Sequence, residues 1–187
     1  MTNLTGMDGA RQLLSDRWFS DNVMKIDRAV TIIFGMIWAI DGQFKFWPGF
    51  IQAFPKMVAT AAQGQPAFLS GWFNFWVASA SINPALIVYL SGLAELAIAF
   101  SLVAGFMRKL FYGVGFVFSL IIWMVPEGFG GPYGVGSTDI GTGIIYAIVF
   151  LFLAILNTTH GGEPYTLDAK LEGKIKWWKL LAEIKYD

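Results

Sequence analysis

PALIVYLSGLAELAIAFSLVAG, residues 84–105, is an almost unbroken apolar stretch with one ionisable side chain, Glu95. Its length is close to the roughly 20 residues that an α-helix needs to cross about 30 Å of hydrocarbon. Backbone groups in lipid must be satisfied within the segment, so the stretch predicts a transmembrane helix. It therefore indicates an integral membrane protein.

Three further apolar segments surround this one, and charged residues make up only 14% of the chain. A soluble domain usually carries about 25% charged residues, so lipid is expected to cover part of the surface. The sequence predicts a single all-α membrane domain, a bundle of four transmembrane helices. The four spans are expected at about 27–46, 84–105, 110–126 and 140–156.

The basic residues predict the orientation of these spans. They concentrate in the N-terminal stretch, in the loop between the second and third spans, and in the C-terminal tail. Since cytoplasmic loops of membrane proteins are enriched in lysine and arginine, both termini and that loop are expected in the cytoplasm. The interpretation is a multi-pass protein of the cell membrane. The residues are Arg11, Arg17, Lys25, Arg28, Arg108, Lys109, Lys170, Lys174, Lys176, Lys179 and Lys185.

Two regions outside the spans are also apolar. The outer loop 47–83 is rich in tryptophan and phenylalanine. Such rings favour the membrane interface, so one or two short interfacial helices are expected there, with a re-entrant segment as the alternative. The tail 165–185 predicts a basic amphipathic helix, which would lie on the inner leaflet or dock on a partner subunit. Its apolar positions are Leu167, Leu171, Ile175, Trp178 and Leu181.

The composition excludes several kinds of site. The chain has no cysteine and a single histidine, His160. Disulfides, thiolate metal sites, iron–sulfur clusters and bis-histidine haem within the chain are therefore excluded, and no metal site is predicted. The net charge is zero, which gives no indication of nucleic-acid binding.

Ionisable residues inside the spans predict a polar layer. Asp41 and Glu95 each lie 13 residues from the arginine at the cytoplasmic end of their helix, which is about 20 Å of helix rise. Trp38, Asp41 and Lys45 share one helix face. The layer predicted in the outer half of the bundle comprises Asp41, Lys45, Glu95, Trp123, Glu127, Asp139 and Tyr146.

Two interpretations of this layer compete. It can be an internal ion pair that fixes helix register, Asp41 with Lys45 or Lys45 with Glu127. It can also be a small-molecule pocket open to the outer face, because intramembrane charges are usually functional. Four carboxylates against one lysine favour the pocket. The glycine-rich stretch 127–143, EGFGGPYGVGSTDIGTG, would then form a backbone lid, although Asp139 can equally cap the fourth span.

A set of positions in the first two spans and in the glycine-rich stretch is found together in a known family. They are Arg28, Gly35, Asp41, Gly42, Lys45, Phe46, Glu95, 127–132 and 138–142. Through them the chain resembles the DoxX/DoxD-like membrane family, over roughly residues 24–157. The glycine-rich stretch looks closest to the DoxD branch, the membrane subunit of thiosulfate:quinone oxidoreductase.

The resemblance implies oxidation of thiosulfate to tetrathionate with a membrane quinone as electron acceptor. It also implies membrane lipid, a DoxA-like second subunit and a terminal quinol oxidase as partners. An apolar slot with aromatic walls and hydrogen-bonding partners suits a quinone. We therefore expect catalytic roles for Asp41, Glu95 and Glu127, quinone contacts from Trp38, Trp123 and Tyr146, and anion or substrate binding by Lys45 and Asp139.

Two other functions remain open. The chain can be a non-catalytic accessory or assembly subunit of a respiratory or other redox complex, docking through its aromatic outer loop and its tail. A small transporter is the third possibility. The absence of inverted repeats or broken helices in the sequence argues against it.

Overall fold

The computed structural model describes residues 4–133, 139–160 and 165–184, with side chains in 17–133, 139–159 and 165–184. This part of the chain is helical and contains no β-strand, which confirms the all-α class. The helices are α1 (Leu4–Phe44), α2 (Pro48–Ala61), α3 (Ser70–Ile82), α4 (Pro84–Ala104), α5 (Arg108–Met124), α6 (Thr142–His160), α7 (Leu167–Glu172) and α8 (Lys179–Ala182).

Four long helices lie where the four spans are predicted, but their ends differ. Helix α1 begins at Leu4, far before residue 27, because no proline interrupts the sequence between them. Helix α4 starts with Pro84 in its first turn, where the missing N–H costs nothing, and Asn83 accepts a hydrogen bond from Leu86 N at 3.1 Å. Helix α5 starts two residues before the predicted position, at Arg108.

The long helices form two closely packed pairs, α1 with α4 and α5 with α6. Glycines lie at both crossings. A Cβ on Gly35 of α1 would lie 2.8 Å from Leu102 Cβ, and one on Gly115 of α5 would lie 2.3 Å from the Phe150 ring. Small residues at helix crossings let the backbones approach. One core joins the two pairs, formed by Phe34, Trp38, Ile98, Ala99, Leu102, Tyr112, Phe150 and Leu153.

The aromatic loop 47–83 forms two helices, α2 and α3, and one or two short helices are predicted there. They pack on the N-terminal half of α4 and the C-terminal end of α5 through a second core. The Trp72 indole N–H donates to Met124 O at 3.3 Å, which ties α3 to the end of α5. The buried members of this core are Phe54, Val58, Ala80, Val88 and Val125.

Two described helices are long and apolar enough to cross a membrane. They are Pro84–Ala104 and Thr142–Thr159, with mean hydropathies of 2.1 and 2.0. Only 39% and 28% of these segments are buried in the protein, whereas the core helix of a soluble protein is mostly buried. Their remaining apolar surface therefore faces outward.

The C-terminal tail differs from its prediction. A single amphipathic helix over 165–185 is expected from the apolar spacing, but the chain forms α7, a 3₁₀ turn at Lys176–Trp178 and the short α8. Gly173 follows α7, and glycine is a poor helix former. The continuous-helix prediction is wrong because the tail packs against its own bundle, where Trp178 and Ala182 are buried.

A buried carboxylate anchors this tail. Asp168 is fully buried and accepts four hydrogen bonds, from Met107 N (2.8 Å), Arg108 N (3.0 Å), Arg108 Nε (3.1 Å) and Trp178 Nε1 (2.8 Å). At the other end of the tail, Asn157 of α6 accepts from Ile184 N at 2.8 Å. The tail is thus joined both to the loop between α4 and α5 and to α6.

Acidification is expected to tighten this docking. Burial raises the pKa of Glu172 above its ordinary value of 4.5; neighbouring Glu183 raises it further, Arg108 lowers it, and Asp168 raises it. The docked tail therefore holds a proton more tightly than the undocked tail. The resulting stabilisation is complete below pH 4.5 and is lost as pH rises through the docked pKa. Amide exchange in 165–184, corrected for intrinsic rates, should be slower near pH 5 than near pH 8.

The matched variant Glu172→Gln tests the cause of this pH dependence. Glutamine keeps the size of the side chain but cannot ionise, so most of the pH dependence of tail exchange should disappear. An unchanged dependence in this variant would show that a different group controls the docking.

Candidate functional site

The polar layer begins at the crossing of α1 and α4, where glycine brings the two helices together. A Cβ on Gly42 would lie 3.1 Å from Glu95 Cβ, and one on Gly92 would lie 2.9 Å from Lys45 Cβ. Larger residues at these positions would push the helices apart. The close approach therefore places Lys45 and Glu95 side by side.

Lys45 and Glu95 form an ion pair inside the protein. Lys45 Nζ lies 3.2 Å from Glu95 Oε2, and the side chains are 18% and 1% exposed. The ammonium also donates to Asp41 O at 3.4 Å and lies 4.6 Å from the centre of the Phe50 ring. Glu95 Oε2 is buried, and the Lys45 ammonium is its partner.

This pairing corrects the ion pairs expected from sequence, Asp41 with Lys45 or Lys45 with Glu127. Lys45 reaches the backbone oxygen of Asp41, one turn back, instead of its carboxylate. Glu127 is occupied at the start of α6. Glycine-mediated packing of α1 on α4 makes Glu95 the partner, and spacing along one helix does not reveal such packing.

Asp41 stands next to this pair. Its side chain is half-buried, and its carboxylate lies within electrostatic range of Glu95 and of the Tyr146 phenol. Among the described residues, none donates a hydrogen bond to the Asp41 carboxylate. The structure therefore brings Asp41, Lys45 and Glu95 together as two acids and one base, in agreement with the facing positions predicted for Asp41 and Glu95.

Aromatic rings line the inner side of the cluster. Trp38 is 1% exposed and packs against Tyr146 and Phe150, with ring centres 5.6 and 5.5 Å away. Its indole N–H is buried and has no partner among the described residues, and the same holds for the hydroxyl of Ser119 on α5. Ser119 lies where α5 packs on the start of α6, next to Gly143. Its burial could not be predicted from sequence, because one serine in an apolar helix carries no pattern.

The other three predicted site residues have structural partners. Glu127 accepts hydrogen bonds from Thr142 N (3.2 Å) and Gly143 N (2.9 Å) and so caps α6. The exposed Asp139 accepts from Gly141 N at 2.7 Å. Trp123 donates from its indole to Ile140 O at 2.8 Å. Glu127 is therefore the cap of α6, while Asp139 stabilises the turn before it.

Replacing Glu127 with alanine is expected to lower the free energy of unfolding by about 1 kcal/mol, the usual cost of losing a helix cap. The loss follows from the two backbone N–H groups at the start of α6 that would lose their acceptor. Equilibrium unfolding in detergent would measure it. Asp21→Ala, a change at an exposed residue of α1, is the control. Equal stability of the two variants would contradict the capping role.

Two further features escape the sequence prediction. Arg28, used there only as a marker of depth, is buried and donates to Leu102 O at 2.8 Å and to Val103 O, the last carbonyls of α4. Asp168 looks like an ordinary residue of a charged tail. The structural roles of Arg28 and Asp168 become recognisable only when the helix ends that they contact are known.

The predicted site is thus divided into two groups. Asp41, Lys45 and Glu95 cluster beside Trp38 and Tyr146, whereas Trp123, Glu127 and Asp139 stabilise the start of α6. The lid predicted over the layer includes residues 134–138, which lie outside the described residues. The described part of the chain contains no cluster of three or more metal-ligating side chains. Comparisons with protein-family models, with curated proteins and with solved structures each found no match for this chain.

Proposed function

We propose that this chain is a four-span subunit of a cell-membrane oxidoreductase that transfers electrons from thiosulfate to a membrane quinone, with both chain ends cytoplasmic. The proposal rests on three supports: the apolar outer surface of the bundle, the buried charged cluster, and the sequence resemblance to the DoxD branch. The observation that carries it is the cluster of Asp41, Lys45 and Glu95.

The outer surface supports four spans. All four long helices expose large apolar side chains at helical spacing, as lipid-facing helices do. The exposed apolar residues on α1 and α5 make these helices candidate spans as well. They would join α4 and α6, which are long and apolar enough by themselves to cross a membrane. Representative residues are Ile33, Met36 and Ile40 on α1, Leu90 and Leu93 on α4, Val114 and Val117 on α5, and Ile148, Leu151 and Ile155 on α6.

The contacts at one end of the bundle support cytoplasmic termini. Arg28 contacts the last turn of α4, Asp168 the start of α5, and Asn157 the end of the tail. These contacts join the three regions richest in lysine and arginine, which are the N-terminal stretch, the loop between α4 and α5, and the C-terminal tail. The positive-inside rule assigns that end to the cytoplasm, which leaves Lys45 and Glu95 towards the outer side.

The composition of the cluster favours proton handling. A pair that only fixed helix register would need one acid for one base. Here Asp41 adds a second carboxylate within electrostatic range, so the cluster formally contains one acid more than it needs for neutrality. A carboxylate that the lysine does not neutralise can accept and release a proton as a general acid–base group. Such a proton is available for transfer to a bound molecule.

The polar atoms fit a quinone. A quinone accepts two electrons and two protons, and its oxygens require hydrogen-bond donors in an apolar environment. The unsatisfied N–H of Trp38 and hydroxyl of Ser119 are buried donors. Phe34 and Tyr146 provide aromatic surface beside Trp38.

Each group then has a defined task. Asp41 and Glu95 hold and deliver protons, Lys45 holds Glu95 in place and attracts an anion, and Trp38 and Tyr146 orient the ring. Two thiosulfates lose two electrons and join through a new S–S bond as tetrathionate. A DoxA-like subunit would complete the thiosulfate site, and a quinol oxidase would reoxidise the product.

Reduction of a short-chain quinone by thiosulfate, followed by absorbance in the purified membrane complex, tests the proposal. Asp41→Asn and Glu95→Gln are expected to lower turnover at least tenfold, because general acid–base groups contribute about 10²–10⁴-fold. Asp21→Asn, the same chemical change at an exposed position of α1, should keep full turnover. Full turnover in both cluster variants, with normal assembly, would refute the site.

A non-catalytic accessory role is the second candidate. It is favoured by the hydrogen bonds of Glu127, Asp139 and Trp123 to backbone groups near the start of α6. These three members of the predicted polar layer therefore stabilise the fold. In that case the chain should co-purify with a larger redox complex that shows no thiosulfate turnover, and Asp41→Asn should change neither assembly nor the activity of that complex. An active chain isolated without a partner would contradict it.

A further inference from the structure

A groove lies on the outside of the bundle, between α5 and the C-terminal tail. It encloses about 670 Å³. A Cβ on Gly113, in the groove, would have no atom within 4 Å, so the missing side chain leaves open space there. One lining residue, Phe118, packs against Trp38 of the candidate site, with ring centres 6.1 Å apart. None of the residues that line the groove has a role in the proposed redox chemistry. Its apolar lining includes Leu110, Val114, Val117, Ile121 and Leu180.

One end of the groove is basic. Lys109, half-buried in the first turn of α5, lines it at the end nearest the loop between α4 and α5. Lys176 and Lys179 are exposed on the adjacent tail, next to Leu180. Among the described residues that line the groove, none is acidic. The groove therefore combines an apolar channel with a positively charged end.

The length of the groove matches one leaflet. From Lys109 to Ile121 the helix rises about 18 Å, close to half of the roughly 30 Å hydrocarbon core. With the tail on the cytoplasmic side, the basic end lies at the level of the lipid headgroups. The apolar part then runs through the inner leaflet, parallel to the acyl chains.

We propose that this groove binds an anionic phospholipid of the inner leaflet. An acyl chain lies along Gly113, Val114 and Val117, and the phosphate contacts Lys109 with Lys179 beside it. Basic pockets at the cytoplasmic ends of membrane helices favour anionic headgroups. The lipid fills the space between α5 and α8 and so holds the docked tail against the bundle. This inference rests on the proposed membrane orientation, but not on the thiosulfate or quinone chemistry.

Native mass spectrometry of the delipidated protein in detergent tests the proposal, with phosphatidylglycerol and phosphatidylcholine of identical acyl chains as probes. Phosphatidylglycerol is expected to bind more tightly. Lys109→Gln should weaken its binding about fivefold, which corresponds to about 1 kcal/mol for one lysine. Gly113→Leu should abolish binding of both lipids at the groove, because leucine would occupy the open space. Gly71→Leu on α3, another open glycine position, is the matched control.

The outcomes distinguish this proposal from the redox proposal. Loss of lipid binding in Gly113→Leu with normal thiosulfate turnover supports the proposed lipid site and shows that it acts independently of the redox chemistry. Equal binding of the two lipids, or unchanged binding in both groove variants, overturns it. A second protein chain that cross-links to position 113 in the native membrane, and is not displaced by phosphatidylglycerol, would also overturn it by identifying a protein as the occupant.

Discussion

Asp168→Ala is expected to detach the C-terminal tail and to lower the free energy of unfolding by about 3–5 kcal/mol, the usual cost of removing one partner of a buried ion pair. Asp168 is fully buried and accepts hydrogen bonds from three residues, Met107, Arg108 and Trp178. Without it, these donors lose a charged acceptor in a place that water reaches poorly.

The effect should be local. The core that joins α1, α4, α5 and α6 contains none of the tail residues, so the bundle should remain helical. Amide exchange in 165–184 should accelerate, and Trp178 should become accessible to a water-soluble quencher. Both changes are measurable in detergent.

Asp168→Asn provides the graded comparison. Asparagine keeps the shape and one acceptor oxygen but loses the charge, so its destabilisation should be intermediate. Asp21→Asn, at an exposed position of α1, should be neutral. Normal tail exchange in Asp168→Ala would show that Asn157 and the apolar contacts of Trp178 suffice for docking.

The apolar segments were enough to predict the all-α class and the positions of the long helices, because hydrophobic runs and proline positions act locally. The breaks in the tail were not predictable in the same way. Leu167, Leu171 and Trp178 have helical spacing, yet the helix ends at Gly173 and the chain bends so that Trp178 donates to Asp168, the residue that contacts the α4–α5 loop. That bend depends on a tertiary contact, which periodicity does not contain.

The candidate site, like the fold, could be predicted from the sequence only in part. Helix rise was sufficient to predict that Asp41 and Glu95 lie close together on neighbouring helices. The partner of Lys45 was not predictable, because it depends on how closely Gly42 and Gly92 let α1 approach α4. The capping role of Glu127 also depends on a contact across the glycine-rich stretch, with Thr142 and Gly143.

Lys45→Met is expected to be the most destabilising change in the polar cluster, at about 3–5 kcal/mol, because it leaves a buried carboxylate without its counter-charge. Glu95 is 1% exposed, so water does not replace the lost ammonium at its own position. Glu95→Gln alone should cost less, since the Lys45 ammonium is 18% exposed and can shift outward. Lys56→Met on α2, where the lysine is exposed, is the control.

The double variant Lys45→Met/Glu95→Gln measures the interaction between the two residues. Contacting residues typically show coupling of about 0.5–3 kcal/mol, so the double variant should be more stable than Lys45→Met alone. Reversible unfolding in mixed detergent micelles, applied to all four proteins of the cycle, gives this value. Additive losses would show that the 3.2 Å approach contributes nothing to stability.

The same double variant separates the two interpretations of the cluster. A register-fixing ion pair can be replaced by uncharged residues of similar volume with little loss, and often with a gain in stability. A cluster that handles protons cannot be replaced in this way without loss of activity, because methionine and glutamine neither attract an anion nor donate an acidic proton. We therefore expect the double variant to fold nearly as stably as the unmodified protein and to assemble normally, yet to reduce quinone with thiosulfate at least tenfold more slowly. Normal turnover in a stable double variant would mean that Lys45 and Glu95 only hold α1 against α4.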